Sequence, residues 1–236
     1  MLYRDVKRKL IADIASGAVP PGGALSSETE LAKRFGVSIG TVRRAVDELV
    51  ADHILVRQQG RGTFVGKLDR ERFMFQFFKI VRRDGPPEFP QVKLLSFARS
   101  RATQAESRLL GLASGAAVYR IANVLSLQGR ALIHDSIVLD ASLFSGLTQS
   151  RFVEREGTIY ELYQTGFGVT VVGAEERVQA VALPSASAPV LGLAEGSPVL
   201  RIERIAFTFD QKPAELRVSI VDTRDADYVS RLVGQA

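Results

Sequence analysis

Three arginines and one pair of polar strand residues are the groups in this chain best suited to recognise a charged or hydrogen-bonding partner. Arg43 and Arg44 stand side by side early in a helical repeat, and Arg61 stands between Gly60 and Gly62. A guanidinium near a helix start can reach base edges or phosphates. Flanking glycines let a backbone approach a groove or phosphate closely. Asn123 and Asp135 are each the polar exception on an apolar strand face. Ile121, Asn123, Leu125 and Leu127 share one face, and Ile133, Asp135, Ile137 and Leu139 share the next. Both lie six residues from Gly129, so a turn centred there sets them opposite each other. A buried carboxylate is costly without partners. The two residues are either a structural pair or part of a small-molecule pocket. His134 falls on the face opposite Asp135 and reads as surface or secondary packing.

Composition narrows the classes of function. The chain has 236 residues, 46% hydrophobic and 24% charged, which suits a folded protein of one large domain or two smaller ones. Formal net charge is +5. Residues 1–70 hold twelve Lys and Arg against eight Asp and Glu; the remainder hold nineteen against eighteen. The basic excess therefore lies in the N-terminal part, which permits a polyanion partner. Cysteine is absent, which removes disulfides, thiolate metal sites and a thiol nucleophile and is compatible with a reducing cytoplasm. The start, MLYRDVKRKLIADI, lacks the apolar stretch of a secretory signal, and no apolar run reaches the roughly 18 residues of a membrane span. No nucleophile–base pair, metal-ligand spacing or phosphate loop is evident, and two histidines without an acid–base setting make a poor catalytic kit. No cofactor is expected.

The arginines need elements to hold them. Leu2, Val6, Leu10, Ile11 and Ile14 recur at helical spacing, and Gly17 ends that helix. Ser27 is a good N-cap, with Glu30 as its capping-box partner, for a short second helix ending near Phe35-Gly36. Ser38 caps a third helix carrying Val42, Ala45, Val46, Leu49 and Val50 on one face. Two helices joined by a tight glycine-containing turn are a helix-turn-helix. Ile54–Gln58 and Thr63–Val65 read as strands around a Gln59–Gly62 turn, a basic hairpin placed as a wing.

Residues 3–66 resemble the DNA-binding domain of the GntR family. The matching words are Leu25-Ser26-Ser27-Glu28-Thr29-Glu30-Leu31-Ala32, Phe35-Gly36-Val37-Ser38, Thr41-Val42-Arg43-Arg44-Ala45 and Gly60-Arg61-Gly62-Thr63-Phe64-Val65. The resemblance implies a winged helix-turn-helix over 1–68 that meets double-stranded DNA through Ser38, Ile39, Gly40, Thr41, Arg43, Arg44, Arg61, Gly62 and Thr63. The chain departs from the family at Ser26, where Pro is usual, and at Thr29 and Ile39, where Arg is common. Arg43 is then expected on a guanine edge, Arg61 in the minor groove or on phosphate, and Ile39 against a thymine methyl.

Residues 69–89 are read as a linker, although Phe73-Met74-Phe75-Gln76-Phe77-Phe78 must pack on a domain or partner. Asp84-Gly85-Pro86-Pro87 marks a boundary. Beyond it lies an internal repeat: Leu110-Gly111-Leu112-Ala113-Ser114-Gly115-Ala116-Ala117-Val118-Tyr119-Arg120-Ile121 matches Leu191-Gly192-Leu193-Ala194-Glu195-Gly196-Ser197-Pro198-Val199-Leu200-Arg201-Ile202. Two copies predict one α+β domain with pseudo-twofold halves around an antiparallel sheet. Between them, a helix begins at Thr158-Ile159-Tyr160-Glu161, and a strand is expected over Val169–Val172. Residues 90–236 resemble the UTRA effector-binding domain of the histidine-utilisation-repressor (HutC-like) branch of GntR regulators. That resemblance implies a chorismate-lyase-like fold and a pocket formed by Asn123, Asp135, Thr158, Tyr160, Asp222 and Tyr228. Arginines found on the Asn123 strand of phosphosugar-sensing relatives are missing, which disfavours a phosphorylated effector.

Together these readings imply an effector-responsive regulator, a homodimeric repressor on a palindromic operator in the cytoplasm. The alternatives are a DNA-binding protein with a ligand-blind dimerisation domain and an enzyme of lyase-like fold.

Overall fold

Apolar residues at helical spacing bury Val6, Leu10 and Ile14 of α1 (Leu2–Ala15) against α2 (Glu28–Phe35) and α3 (Ile39–Ala51). This computed structural model describes residues 2–86 and 88–230, so Met1, Pro87 and positions 231–236 lie outside it. Both capping expectations hold. Ser27 and Glu30 form a reciprocal capping box, and the Ser38 side chain accepts from the Thr41 amide. Gly36, at φ 67°, closes α2 in the left-handed conformation that glycine adopts without a Cβ penalty. β1 (Leu55–Gln58) pairs antiparallel with β2 (Gly62–Val65) as the wing, and the Ala24 backbone bridges to Phe64 beside it.

Residues 69–89 are not a free connection. α4 (Arg70–Gln76), capped by Asp69, buries Phe73, and Phe77 just past its end is buried beside it. Both enter the C-terminal core, edge-on to Tyr160 at 5.5 and 4.9 Å between ring centroids. β3 (Ile80–Arg82) then pairs with β10 (Ala226–Tyr228) from the far end of the chain. The segment read as a linker is thus built into the second domain.

The main sheet holds β4 (Gln91–Arg101), β5 (Ala117–Leu127), β6 (Arg130–Asp140), β7 (Gly173–Ala182), β8 (Pro198–Phe207) and β9 (Pro213–Val221). Their order is β4-β5-β6-β9-β8-β7, all antiparallel. That order reads the same from either edge once the repeat halves are exchanged, which is the pseudo-twofold arrangement the repeat predicts. The copies correspond locally too. α5 (Gln104–Leu110) and α8 (Ala188–Leu191) end in left-handed Gly111 and Gly192, and each leads through a tight turn into β5 or β8. Both helices lie on the same face, over Val118, Val138 and Leu216 in one half and over Val199 and Ile220 in the other.

The opposite face carries the larger core. α6 (Gln149–Val153) and α7 (Ile159–Phe167) join α4 there around Phe144, Phe152, Tyr160 and Tyr163. Val169–Val172 is an extended buried segment rather than a strand. Val169 and Val171 both plug the core, while the sheet pairing of β7 begins only at Gly173. No helix among the described residues is long and apolar enough to cross a membrane.

The two domains meet through side chains. Phe209, in a 3-10 turn after β8, is buried in the core of the helix-turn-helix domain. Gln164 of α7 donates to the Gly66 carbonyl and accepts from the Leu68 amide, at 3.2 and 3.1 Å.

Candidate DNA-binding surface and effector site

The exposed start of α3 collects most of the residues the sequence singles out. Ser38, Ile39, Gly40, Arg43 and Arg44 are exposed, and Thr41 is half-buried. Ile39, an aliphatic side chain left 42% accessible at a helix start, has no packing role that explains its exposure. Gly40 puts no side chain in front of the first turn; a Cβ there would meet only Ser38 Oγ, at 3.9 Å. Arg43 Nε donates to Glu28 Oε2 at 2.8 Å, so its guanidinium is held on the surface by α2. Arg44 differs. Its guanidinium lies 4.1 Å from the Tyr3 ring centroid, over α1 and apart from the Arg43 network. Arg61 and Gly62 are exposed at the wing tip, Thr63 is half-buried, and Gly60 and Gly62 both have positive φ.

Sequence reading missed Arg57. From β1 it reaches Asp47 Oδ1 at 2.6 Å and Glu28 Oε1 at 3.4 Å, joining wing, recognition helix and α2 in one ionic network. Arg43, Arg57 and Asp47 are exposed and Glu28 is half-buried, so each pair contributes little stability. Their effect is to orient Arg43 and the wing together. The signal, one basic residue in a short strand, was too weak to find without the fold.

In the C-terminal domain, β5 and β6 set Asn123 directly opposite Asp135. Asp135 is 1% exposed and fully engaged. Ser219 Oγ donates to its Oδ1 at 2.5 Å, and Arg217 Nη1 donates to its Oδ2 at 3.1 Å. Arg217 also chelates Glu215, at 2.9 and 3.0 Å, and Glu215 accepts from the Tyr160 and Tyr163 hydroxyls. Burial opposes every charge here, but mutual attraction prevails. Arg217 is held well above the ordinary arginine range by Glu215 and Asp135, and Glu215 is held below the ordinary carboxylate range by Arg217. Burial, then the Glu215 charge, pushes Tyr160 up to about 12 and Tyr163 well above its ordinary value, so both remain neutral donors.

Beside this network lies a small cavity of about 40 Å³, lined by Asn123, Asp135, Arg155, Thr158, Arg217 and an apolar wall that includes Phe73. A second void of about 30 Å³ shares Phe73, Leu125, Asp135 and Arg217 with it and reaches Tyr228. The structure therefore brings Asn123, Asp135 and Thr158 together and places Tyr228 on the adjoining void. Two expected residues stand elsewhere. Tyr160 is wholly buried behind the wall, its hydroxyl committed to Glu215. Asp222 is wholly buried just past the end of β9, where it accepts from Arg130 and Arg224 at 2.8 and 3.0 Å. Tyr228 donates to Glu176, which pairs with Arg204. Sequence reading missed Arg155 and Arg217: one sits in a loop, and the burial of the other depends on partners in distant strands. A larger cleft, of about 740 Å³, opens at the domain joint and also holds Arg204 and Tyr228.

A three-helix head with a wing, joined to an antiparallel sheet domain that holds a small cavity, has the build of a DNA-binding regulator. Residues 2–65 match the bacterial regulatory proteins of the gntR family, and residues 89–225 match the UTRA domain. The chain belongs to the GntR transcriptional regulators that carry a UTRA domain. It is 33% identical over 219 residues to an HTH-type transcriptional regulator of Mycobacterium tuberculosis, covering 89% of this chain and 77% of that one. Over 80 residues it is 42% identical to the histidine utilization repressor of Pseudomonas aeruginosa, covering 34% and 32% of the two chains. Among solved structures, the ligand-binding domain of a GntR-family regulator from Bordetella bronchiseptica superposes with a TM-score of 0.63 at 29% identity, covering 66% of this chain and 96% of that one. The chain is a DNA-binding transcriptional regulator.

Proposed function

We propose that the chain is a repressor released from its operator when a small metabolite occupies the cavity between Asn123 and Thr158. One observation carries this reading. The helix whose cap lines the cavity is the helix that grips the head. Thr158 Oγ1 caps α7 at the cavity wall and donates to the Leu68 carbonyl, while Gln164, further along α7, bonds Gly66 and Leu68. Phe73 of α4, five residues past Leu68, lines the cavity. The observed cavity has room for about one or two waters. A larger occupant must push Phe73 or the start of α7 aside, and both are fastened to the end of the wing.

In this reading a homodimer in the cytoplasm sets two α3 helices on a palindromic operator about one helical turn apart. Arg43 reads a guanine edge, Ile39 meets a thymine methyl, Arg61 enters the minor groove or meets phosphate, and the Ser38, Gly40, Thr41, Gly62 and Thr63 backbone and hydroxyls lie along the sugar-phosphate chain. Arg44, stacked on Tyr3, serves as a flanking positive charge. An operator recovered by in vitro selection tests the reading. Specific binding should be present without metabolite and weakened by one. A selection that enriches no sequence rejects DNA readout. A metabolite that saturates the cavity yet leaves operator affinity unchanged rejects release.

A further inference from the structure

The cavity carries two unmet hydrogen-bonding groups of opposite kind. Asn123 is 3% exposed, and its Oδ1 has no partner among the described residues. A buried acceptor left unpaired costs about 1–3 kcal/mol, so it marks a place where a donor belongs. Arg155 is the second group. Its Nε is buried without a partner, its guanidinium lies 4.4 Å from the Phe152 ring centroid, and it donates to the Phe152 carbonyl. No carboxylate among the described residues pairs with it. Burial acts most strongly against its charge, and Arg217, which shares the wall with Asp135, repels it. The start of α7, at Gly157, Thr158 and Ile159, lines the same wall and adds the positive end of a nine-residue helix.

Charge balance limits what can enter. Arg155 and Arg217 are matched in number by Asp135 and Glu215, so the cluster is already neutral without forming a pair at Arg155. A phosphate dianion would leave two negative charges in excess in a site with one free guanidinium. A carboxylate leaves only one, and an amino acid, whose ammonium cancels its carboxylate, leaves none while bringing both an anion for Arg155 and a donor for Asn123.

We propose that the effector is a small carboxylic acid bearing an amino or hydroxyl group, its carboxylate on Arg155 and the α7 start, its donor on Asn123 Oδ1. This rests on the effector reading above and names the chemistry of that site. The remaining wall, with Phe73, Phe89, Val92, Leu125 and Ile159, suits a short apolar body.

The test is a thermal-shift screen of the full chain, followed by calorimetric titration. The probes are the amino acids and common hydroxy acids, each with its amide, together with glucose 6-phosphate and glucosamine 6-phosphate. An acid should raise the melting temperature where its amide does not. Arg155→Gln should weaken that acid about ten- to a hundredfold, and Asn123→Ala about tenfold, with an unchanged far-ultraviolet circular dichroism spectrum and a cooperative melt as evidence of a folded protein. The assignment is overturned if no acid shifts the protein, if only the sugar phosphates or the neutral amides do, or if Arg155→Gln binds the acid as tightly as the parent chain. Operator binding measured on the same samples separates this from the release reading. An amide or sugar phosphate that frees the operator sinks the carboxylate assignment and keeps release. An acid bound through Arg155 that does not free the operator does the reverse.

Discussion

Arg43 reaches the surface already oriented, because Glu28 holds its Nε and the same carboxylate touches Arg57 from the wing. Its removal should therefore act on one base pair. Arg43→Ala is expected to cost about 1–3 kcal/mol on the selected operator and to relax preference at a single position, measured by anisotropy on a set of point-substituted sites. Arg61→Ala should behave differently. It should weaken all sequences alike and lower the slope of log affinity against log salt by about one. These arginines were legible in the sequence because helix-start and inter-glycine positions are informative by themselves. Asn123 and Asp135 were legible because strand alternation and one turn fix their register. Arg155 and Arg217 were not. A lone arginine in a loop or mid-strand has no periodic signature, and only the assembled sheet shows that Arg217 faces Asp135.

Helix ends supply a test with a pH dependence. Glu106 closes the capping box of α5 with Thr103 and meets Arg120 of β5 at 2.5 and 2.7 Å. The Arg120 hydrogen bonds, opposed by partial burial and aided by Thr103, lower its carboxyl from 4.5 to about 2. A carboxyl with a depressed folded pKa stabilises fully above its unfolded value and ceases to do so as pH falls through its folded one. Glu106→Gln should thus cost about 1–3 kcal/mol at pH 7, and the difference should shrink below pH 5 and vanish near pH 2 in urea titrations. A cost constant across that range would show that the ion pair is irrelevant. At this scale the head was read closely, since caps and glycine stops are local. The errors fall where burial is tertiary. Val169 and Val171 alternate like a strand yet plug the core from an extended segment, while the true edge strand, β7, is too polar to resemble one. Residues 69–89 resembled a linker because the α4 and β3 within them are short and acquire their partners from Tyr160 and β10.

Across the whole molecule, the repeat predicted the symmetric sheet, and the structure adds the joint through which the sheet domain acts on the head. Gln164 is 4% exposed and satisfies two backbone groups of residues 66 and 68. Gln164→Ala leaves both unpaired, an expected loss of about 1–3 kcal/mol that should appear in calorimetry as the head melting ahead of the sheet domain. One unchanged transition would mean that the remaining contacts, among them Phe209, Val172 and the Thr158–Leu68 hydrogen bond, fasten the domains without Gln164. Coupling between sites is typically worth about 1–3 kcal/mol, or roughly 5- to 150-fold in affinity. The most direct measurement is operator affinity with the cavity empty and then saturated by an acid that depends on Arg155. The cavity–α7–wing account expects operator binding to weaken at least fivefold in the parent chain and far less in Gln164→Ala. Equal operator affinity in both states of the parent chain, with the cavity demonstrably filled, would contradict it.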